Sequence, residues 1–309
     1  MQHIPMSRGR RARRGFTMIE LLVALVLLGL VSTALYRVLV NNQRLYMAQT
    51  QRIDLSQNIR AAGSILPAEF RELDAADGDI AAMSATSISI RAMRWLSFVC
   101  IAPGLGGGNN GIQMNIRGGQ PGTPMFFGSR APNTGTDSLL VYLDGDQTTR
   151  ADDYYVRARF VSQSGGVGQN CPAAGVVPPQ TGIQVVFDGS FLPGTNKAGA
   201  IPVGSPVRGF ERVVYSLFRP AGDTSYYIGF QPAGQSPQPL IGHVLTNGLT
   251  FSYYDVNGNV TAVPAQVARI DITVRARTAA AVRRGGQAAR ATMIDSVVTS
   301  VALRNNRRF

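Results

Sequence analysis

Lysine is almost missing from this chain: Lys197 is the only one among 30 basic residues, and the rest are arginine. Glutamate occurs only at Glu20, Glu69, Glu72 and Glu211, tryptophan occurs once, and cysteine and histidine occur twice each. These shortages narrow the chemistry. His243 is the only histidine beyond His3, so no Ser, His and Asp constellation is suggested. The four glutamates do not pair as an acid and a base either, and the expectation is a protein that is not an enzyme and carries no cofactor. Acidic residues are wholly absent from the first fifteen positions, where Arg8, Arg10, Arg11, Arg13 and Arg14 cluster. Removing those five leaves 25 basic residues against 18 acidic ones, which lowers the formal net charge from +12 to +7.

A long apolar run comes directly after the arginines. Phe16 to Tyr36 covers 21 residues with one charge, Glu20, and at roughly 1.5 Å per residue such a helix spans a hydrocarbon layer of roughly 30 Å. Cationic residues before the run hold that end in the cytoplasm. A secretory signal peptide would place a small-residue cleavage motif after the run, but the sequence there reads VSTALYRVL. A plain anchor accounts for the length and leaves Glu20 unexplained, since a charge at that depth costs roughly 2.5 to 3.5 kcal/mol on insertion scales.

The order of an Arg-rich leader, then Gly15, Phe16, Thr17, Met18, Ile19 and Glu20, then the apolar run, resembles the type III signal of type IV pilins and pseudopilins. The resemblance implies cleavage by a prepilin peptidase between Gly15 and Phe16 and N-methylation of Phe16. It also implies that Glu20 pairs with a neighbouring subunit's N-terminal ammonium during assembly. Opposite charges attract strongly in a low dielectric, while each alone would be heavily penalised.

Beyond Tyr36 the apolar residues Leu55, Ile59, Ala62, Leu66, Phe70 and Leu73 recur at helical spacing, with Arg52, Asp54, Gln57, Arg60, Glu69 and Arg71 between them. The spacing predicts that the helix continues as an amphipathic segment, with Gly63 and Pro67 as points of bending or interruption and Gly78 as terminator. After residue 80 the texture turns to β: SATSISIRAM, DSLLVYLD, DYYVRARFV, GIQVVFD, ERVVYSLF and SYYIGF are short runs bounded by Gly, Pro, Asn and Asp. The stretch Cys100 to Gly135 is glycine-rich and reads as loop. Its G-x-G-x-x fragments are no nucleotide fingerprint, because no strand-then-helix unit surrounds them.

Near the end, an apolar-aromatic strand reaches a turn at Asp255 to Asn259 with Asn-Gly at its centre, and a strand from Val267 to Val274 comes after it. ATMIDSVVTSVALRN is a last strand, and RRGGQ at 283 to 287 reads as an exposed loop. This tail looks like that of PilW and PulJ-like minor pilins. The fold class implied is α+β, a long N-terminal helix packed on an antiparallel sheet domain with long Gly-rich loops. Its parts are a leader at 1–15, a transmembrane helix at 16–36, an amphipathic helix at 37–77 and a periplasmic or extracellular β domain at 78–309. An inner-membrane, single-pass subunit of this kind passes into a filament at the cell surface. Its expected partners are other minor pilins, the major pilin, the peptidase and the inner-membrane assembly platform.

With the domain outside the cytoplasm, Cys100 and Cys171 are candidates for a disulfide of about 2 to 4 kcal/mol. With His3 lost in the leader, zinc lacks ligands. Asp144, Asp146, Asp152 and Asp153 in LDGDQTTRADDYY invite a weak calcium reading, although their spacing is not that of an EF-hand. Three roles are consistent with these features: priming of a type IV pilus as a minor pilin at the tip, service as the J-type pseudopilin of a type II secretion system, or capture of DNA or a surface at the tip. J-type subunits are usually smaller, which favours the pilus. The scattered arginines argue against nucleic acid as a partner.

Overall fold

The computed structural model of the chain describes residues 15–105, 111–118, 127–128, 130–144, 148, 154–165, 182–188, 201–283 and 289–304. The chain divides into two compact units, Met1–Asp54 with Ala280–Met293, and Leu55–Ala279 with Ile294–Phe309.

One helix, α1 (Met18–Arg71), begins in the first unit and ends in the second. Its N-terminal part is apolar all round, with a mean hydropathy of 2.4 over an 18-residue window and none of that window buried. Such a surface is stable only in lipid or against other helices. From Leu55 the character changes to a single stripe: Leu55, Ala62, Leu66, Phe70 and Leu73 are buried, while Arg52, Asp54, Gln57, Arg60 and Arg71 are exposed. The expected interruption at Gly63 and Pro67 does not occur. Pro67 lies within the last five residues of α1 and is itself buried, and its missing N–H removes one bond, to Gly63, without ending the helix.

A Cβ on Gly63 would meet only Val297 Cγ2 at 3.7 Å and Thr299 Oγ1 at 3.9 Å. Gly63→Ala is therefore expected to stabilise the second unit by about 0.5 to 1 kcal/mol, because helix-interior glycine costs more conformational entropy than alanine. Denaturant unfolding of the two proteins measures it.

The helix also stops earlier than the expected residue 77. After Arg71 the acidic run DAADGD turns on itself: Asp77 N–H donates to Asp74 Oδ1 at 3.1 Å, Asp74 N–H donates to Asp79 Oδ2 at 2.7 Å, and Gly78 adopts a φ of +76°. Short acidic side chains that bind nearby amides compete with the helical ladder.

Fourteen strands come after it among the described residues: β1 (Ile80–Met83), β2 (Ser87–Leu105), β3 (Gly111–Arg117), β4 (Phe127–Gly128), β5 (Asp137–Leu143), β6 (Tyr154–Gly165), β7 (Gly182–Asp188), β8 (Pro206–Phe218), β9 (Tyr226–Pro232), β10 (Gln238–Tyr254), β11 (Arg269–Arg277), β12 (Val282–Arg283), β13 (Arg290–Ala291) and β14 (Ile294–Ala302). All pairings between them are antiparallel, so the α+β class expected from the sequence holds. The small β12–β13 ribbon belongs to the first unit, where Ala280 N–H donates to Gln51 Oε1 at 3.1 Å.

The sheet has two parts that share β2 and β8. Pairing runs β2–β3–β7–β6–β5–β8 and returns from β8 to β2, so these six strands close on themselves. Closure removes free edges and encloses an apolar interior that includes Trp95, Met114, Ile116, Leu139, Val141 and Phe160. The other part is open, in the order β1–β2–β8–β9–β10–β11–β14, and it receives the buried stripe of α1. Phe70 stands edge-on to Tyr215 of β8 at 5.7 Å and to Phe251 of β10 at 5.9 Å between ring centroids.

Two expectations for the β region need correction. The stretch from Cys100 to Gly135 is not simply loop: it contains the end of β2, all of β3 and β4, and the buried pair Met114 and Ile116. Glycines on either side masked the alternation in GIQMNIR. The last hairpin is shifted by two residues, since β11 starts at Arg269 and Val267 comes after a short helical turn at Pro264–Gln266. Its turn is as expected: Asp255 accepts from the amides of Asn257 at 2.9 Å and Asn259 at 2.8 Å, and Gly258 has a φ of +84°. Of RRGGQ, only Arg283 is described.

Candidate functional site

The first turn of α1 is built by two side chains three positions apart. Thr17 ends the extended segment and caps the helix: Glu20 N–H donates to Thr17 Oγ1 at 3.3 Å, and Leu21 N–H donates to the Thr17 carbonyl at 3.2 Å. In return Thr17 N–H and its hydroxyl both donate to Glu20 Oε2, at 3.0 and 3.1 Å. This is a capping box, in which each side chain satisfies the other's backbone amide. The carboxylate also sits where the helix dipole favours negative charge.

Glu20 is thus not the unpartnered charge that its place in an apolar run suggests. The T-x-x-E spacing of Thr17 and Glu20 carries that signal in the sequence. Both of its bonds fall on Oε2, and among the described residues no hydrogen bond reaches Oε1. The groove beside it is lined by Phe16, Ile19, Glu20, Val23, Ala24 and Leu27. A carboxylate oxygen in an apolar groove can accept a hydrogen bond from a cation of small size, and such a bond is strong because water is scarce there.

Upstream, Gly15 and Phe16 are exposed and not helical, and Phe16 is 86% accessible. A Cβ on Gly15 would have nothing within 4 Å. Packing within the chain therefore gives no reason for glycine at this position. An extended, unencumbered peptide bond is what a protease requires.

The second unit holds a different polar centre, which no sequence pattern announced. Arg94 of β2 binds Glu69 of α1 at 2.9 Å and Glu211 of β8 at 3.1 Å. Arg130 binds the same Glu211 at 3.2 Å and pairs with buried Asp137, which also accepts from Trp95 Nε1 at 2.9 Å, Asn133 N–H at 2.9 Å and the Thr136 hydroxyl at 3.2 Å. Burial alone would lower the Arg94 pKa, but Glu69 and Glu211 outweigh it and raise it. Burial, reinforced by the Glu69 charge, pushes the Tyr215 phenol well above its ordinary value. A cleft of about 470 Å³ opens here, lined by Ile65, Leu240 and Phe230 beside these charges. Each carboxylate is bound by an arginine and the phenol keeps its proton, so the arrangement fixes α1 to the sheet.

His243 stands apart from that network. Its Nε2 lies 3.2 Å from the Tyr227 hydroxyl, which donates to Asp223 at 2.9 Å. Cys100 is buried with Sγ 3.3 Å from the Asn115 carbonyl oxygen, while Cys171 lies outside the described residues. So do Asp146, Asp152 and Asp153, which leaves Asp144 as the described member of the proposed calcium set. Among the described residues no group of three or more His, Cys, Asp or Glu is placed to hold a metal ion.

The family model of the prokaryotic N-terminal methylation motif matches residues 10–36. No curated protein and no solved structure matches the chain. The motif covers the end of the arginine-rich segment from residue 10, the Gly15–Phe16 bond, the capping box and the apolar run, and it implies processing by a prepilin peptidase and handling by pilus assembly machinery in general. The chain thus carries a prokaryotic N-terminal methylation motif on a membrane-capable helix, a combination that supports a type IV pilin-like or pseudopilin protein.

Proposed function

We propose that the chain is a minor pilin that joins other minor pilins to prime growth of a type IV pilus, at the filament tip, and that it is no enzyme. The observation that carries this reading is the apolar half of α1, unburied along its length and bearing one capped carboxylate with a free oxygen. A membrane satisfies the apolar surface, and a neighbouring subunit's new N-terminus satisfies the oxygen. Hydrolysis of the Gly15–Phe16 bond frees Phe16 as an ammonium, and a separate transfer from a methyl donor N-methylates it, leaving the small cation that Glu20 of a neighbouring subunit accepts. The subunit then leaves the inner membrane with its charge matched. The second unit is held outside the cytoplasm, where a bridge between Cys100 and Cys171 persists.

Service as the J-type subunit of a type II secretion system uses the same N-terminal chemistry, and one experiment separates the two. Delete the gene and quantify sheared surface pili and secreted enzymes in the same cultures. Loss of pili with normal secretion is expected; loss of secretion with normal pili would move the chain to the secretion machine.

A further inference from the structure

The open part of the sheet ends at β14, and that edge has few of the usual defences. Its nine residues, IDSVVTSVA, contain no proline, no lysine and no arginine, and Asp295 is the only charge. The register against β11 is unbroken from Arg277↔Ile294 to Arg269↔Ala302, so no bulge twists the edge away. Natural sheets normally blunt such an edge with bulges, charges, proline or short length.

Two bonds fix which backbone groups point outward. Leu303 N–H donates to Ala268 on the β11 side at 2.9 Å, while Arg304 N–H turns the other way, to the Arg71 carbonyl at the end of α1, at 3.0 Å. Inward and outward groups alternate along an antiparallel strand. The amides and carbonyls of Ile294, Ser296, Val298, Ser300 and Ala302 therefore face the free edge, and no strand pairs with them among the described residues; the Ser296 N–H alone is bonded locally, to Asp295 Oδ1 at 2.8 Å. We propose that β14 is an acceptor edge which takes an extended segment of another protein as an added antiparallel strand.

The edge also constrains its occupant. Ser296, Ser300 and Ala302 are small and Val298 is exposed, so the added strand is selected by main-chain bonding and tolerates β-branched neighbours. Asp295 calls for a cation on the segment near that end. The sequence of β11, RIDITVRAR, is of this type: it already pairs with β14 and places Arg275 and Arg277 on either side of the residue facing Asp295.

A second copy of the chain fits less well. Gly63 lies by Val297 and Thr299, and Arg71 by Arg304, so α1 runs in the same sense as β14. An antiparallel copy would reverse its helix, and the two chains would enter their β domains from opposite ends, although both come from one membrane.

The test uses the full-length protein in detergent, the nonapeptide RIDITVRAR, a scrambled control peptide and hydrogen exchange read by mass spectrometry. It does not depend on which filament the chain serves. The amides of Val298 and Ser300 should exchange freely alone and slow at least tenfold with the peptide, and not with the control. Val298→Pro removes an outward donor and no bond to β11, so it should abolish the slowing with an unchanged melting temperature, while Thr299→Pro, which removes a bond to β11, should lower that temperature. No slowing at saturating peptide would overturn the proposal. So would slow exchange of these amides before any peptide is added, and slowing that grows with protein concentration alone would make a second copy the occupant instead.

Discussion

Glu20→Ala should leave cleavage intact and remove the protein from the filament. The variant keeps the apolar run and the Gly15–Phe16 bond, so the membrane form and the site of cleavage are unchanged. On the proposed assembly role it lacks the acceptor for a neighbour's ammonium. Breaking a buried ion pair by removing one partner typically costs about 3 to 5 kcal/mol, which corresponds to a drop in incorporation of roughly a hundredfold or more. Immunoblots of sheared filaments against membranes, in cells that retain the other subunits, measure it. Thr17→Ala is the informative companion. It removes the cap at a cost of about 1 kcal/mol but leaves the carboxylate in place, so incorporation should fall far less. Equal loss in both variants would mean that helix capping, and not pairing, is what Glu20 provides.

Trp95→Ala should be the most damaging single change in the β domain. The indole is 1% exposed inside the closed six-strand part, where its backbone pairs with Gly128 on one side and Gly209 on the other. A Cβ on Gly209 would overlap the indole, and one on Gly128 would lie 2.7 Å from the Trp95 Cβ. Gly209 thus makes room for the ring, and Gly128 for the close approach of the Trp95 backbone and Cβ. Truncation leaves a void and deprives buried Asp137 of the indole N–H, and the expected loss is about 3 to 5 kcal/mol. Denaturant unfolding followed by circular dichroism measures it. Trp95→Phe should lose less, since the ring volume is largely kept and Arg130 and Asn133 still bind Asp137.

The parts of the fold that were legible before the structure are those governed by local spacing. Leu55, Ala62, Leu66 and Phe70 fall on one face because α1 is regular there, and the period of 3.6 shows it. The turn at Asp255 was legible because an Asp shortly before Asn-Gly accepts from the amides of the turn, here those of Asn257 and Asn259. The end of α1 was misplaced because Asp74, Asp77 and Asp79 gain bonds by leaving the helix, which a hydrophobic stripe does not register. β3 was hidden by composition, as its alternating Met114 and Ile116 lie among glycines. The closed part of the sheet was invisible for a different reason: it depends on β2 meeting β8, Trp95 opposite Gly209, across a long span of intervening sequence. The charged centre of Glu69, Arg94, Glu211, Arg130 and Asp137 likewise exists only after that pairing. At the N-terminus the reverse holds. Every group of the site lies between Gly15 and Glu20, and the capping role of Thr17 was readable from its spacing to Glu20.

The most direct measurement is the identity of the chain's first residue in the cell. The protein should be extracted from membranes, digested, and its N-terminal peptide sequenced by mass spectrometry. A chain that begins at N-methylated Phe16, with nothing of residues 1–15, is the predicted result. A chain that still begins at Met1, or one cut beyond Leu30 with Glu20 discarded, would contradict the reading of Glu20 as an assembly residue.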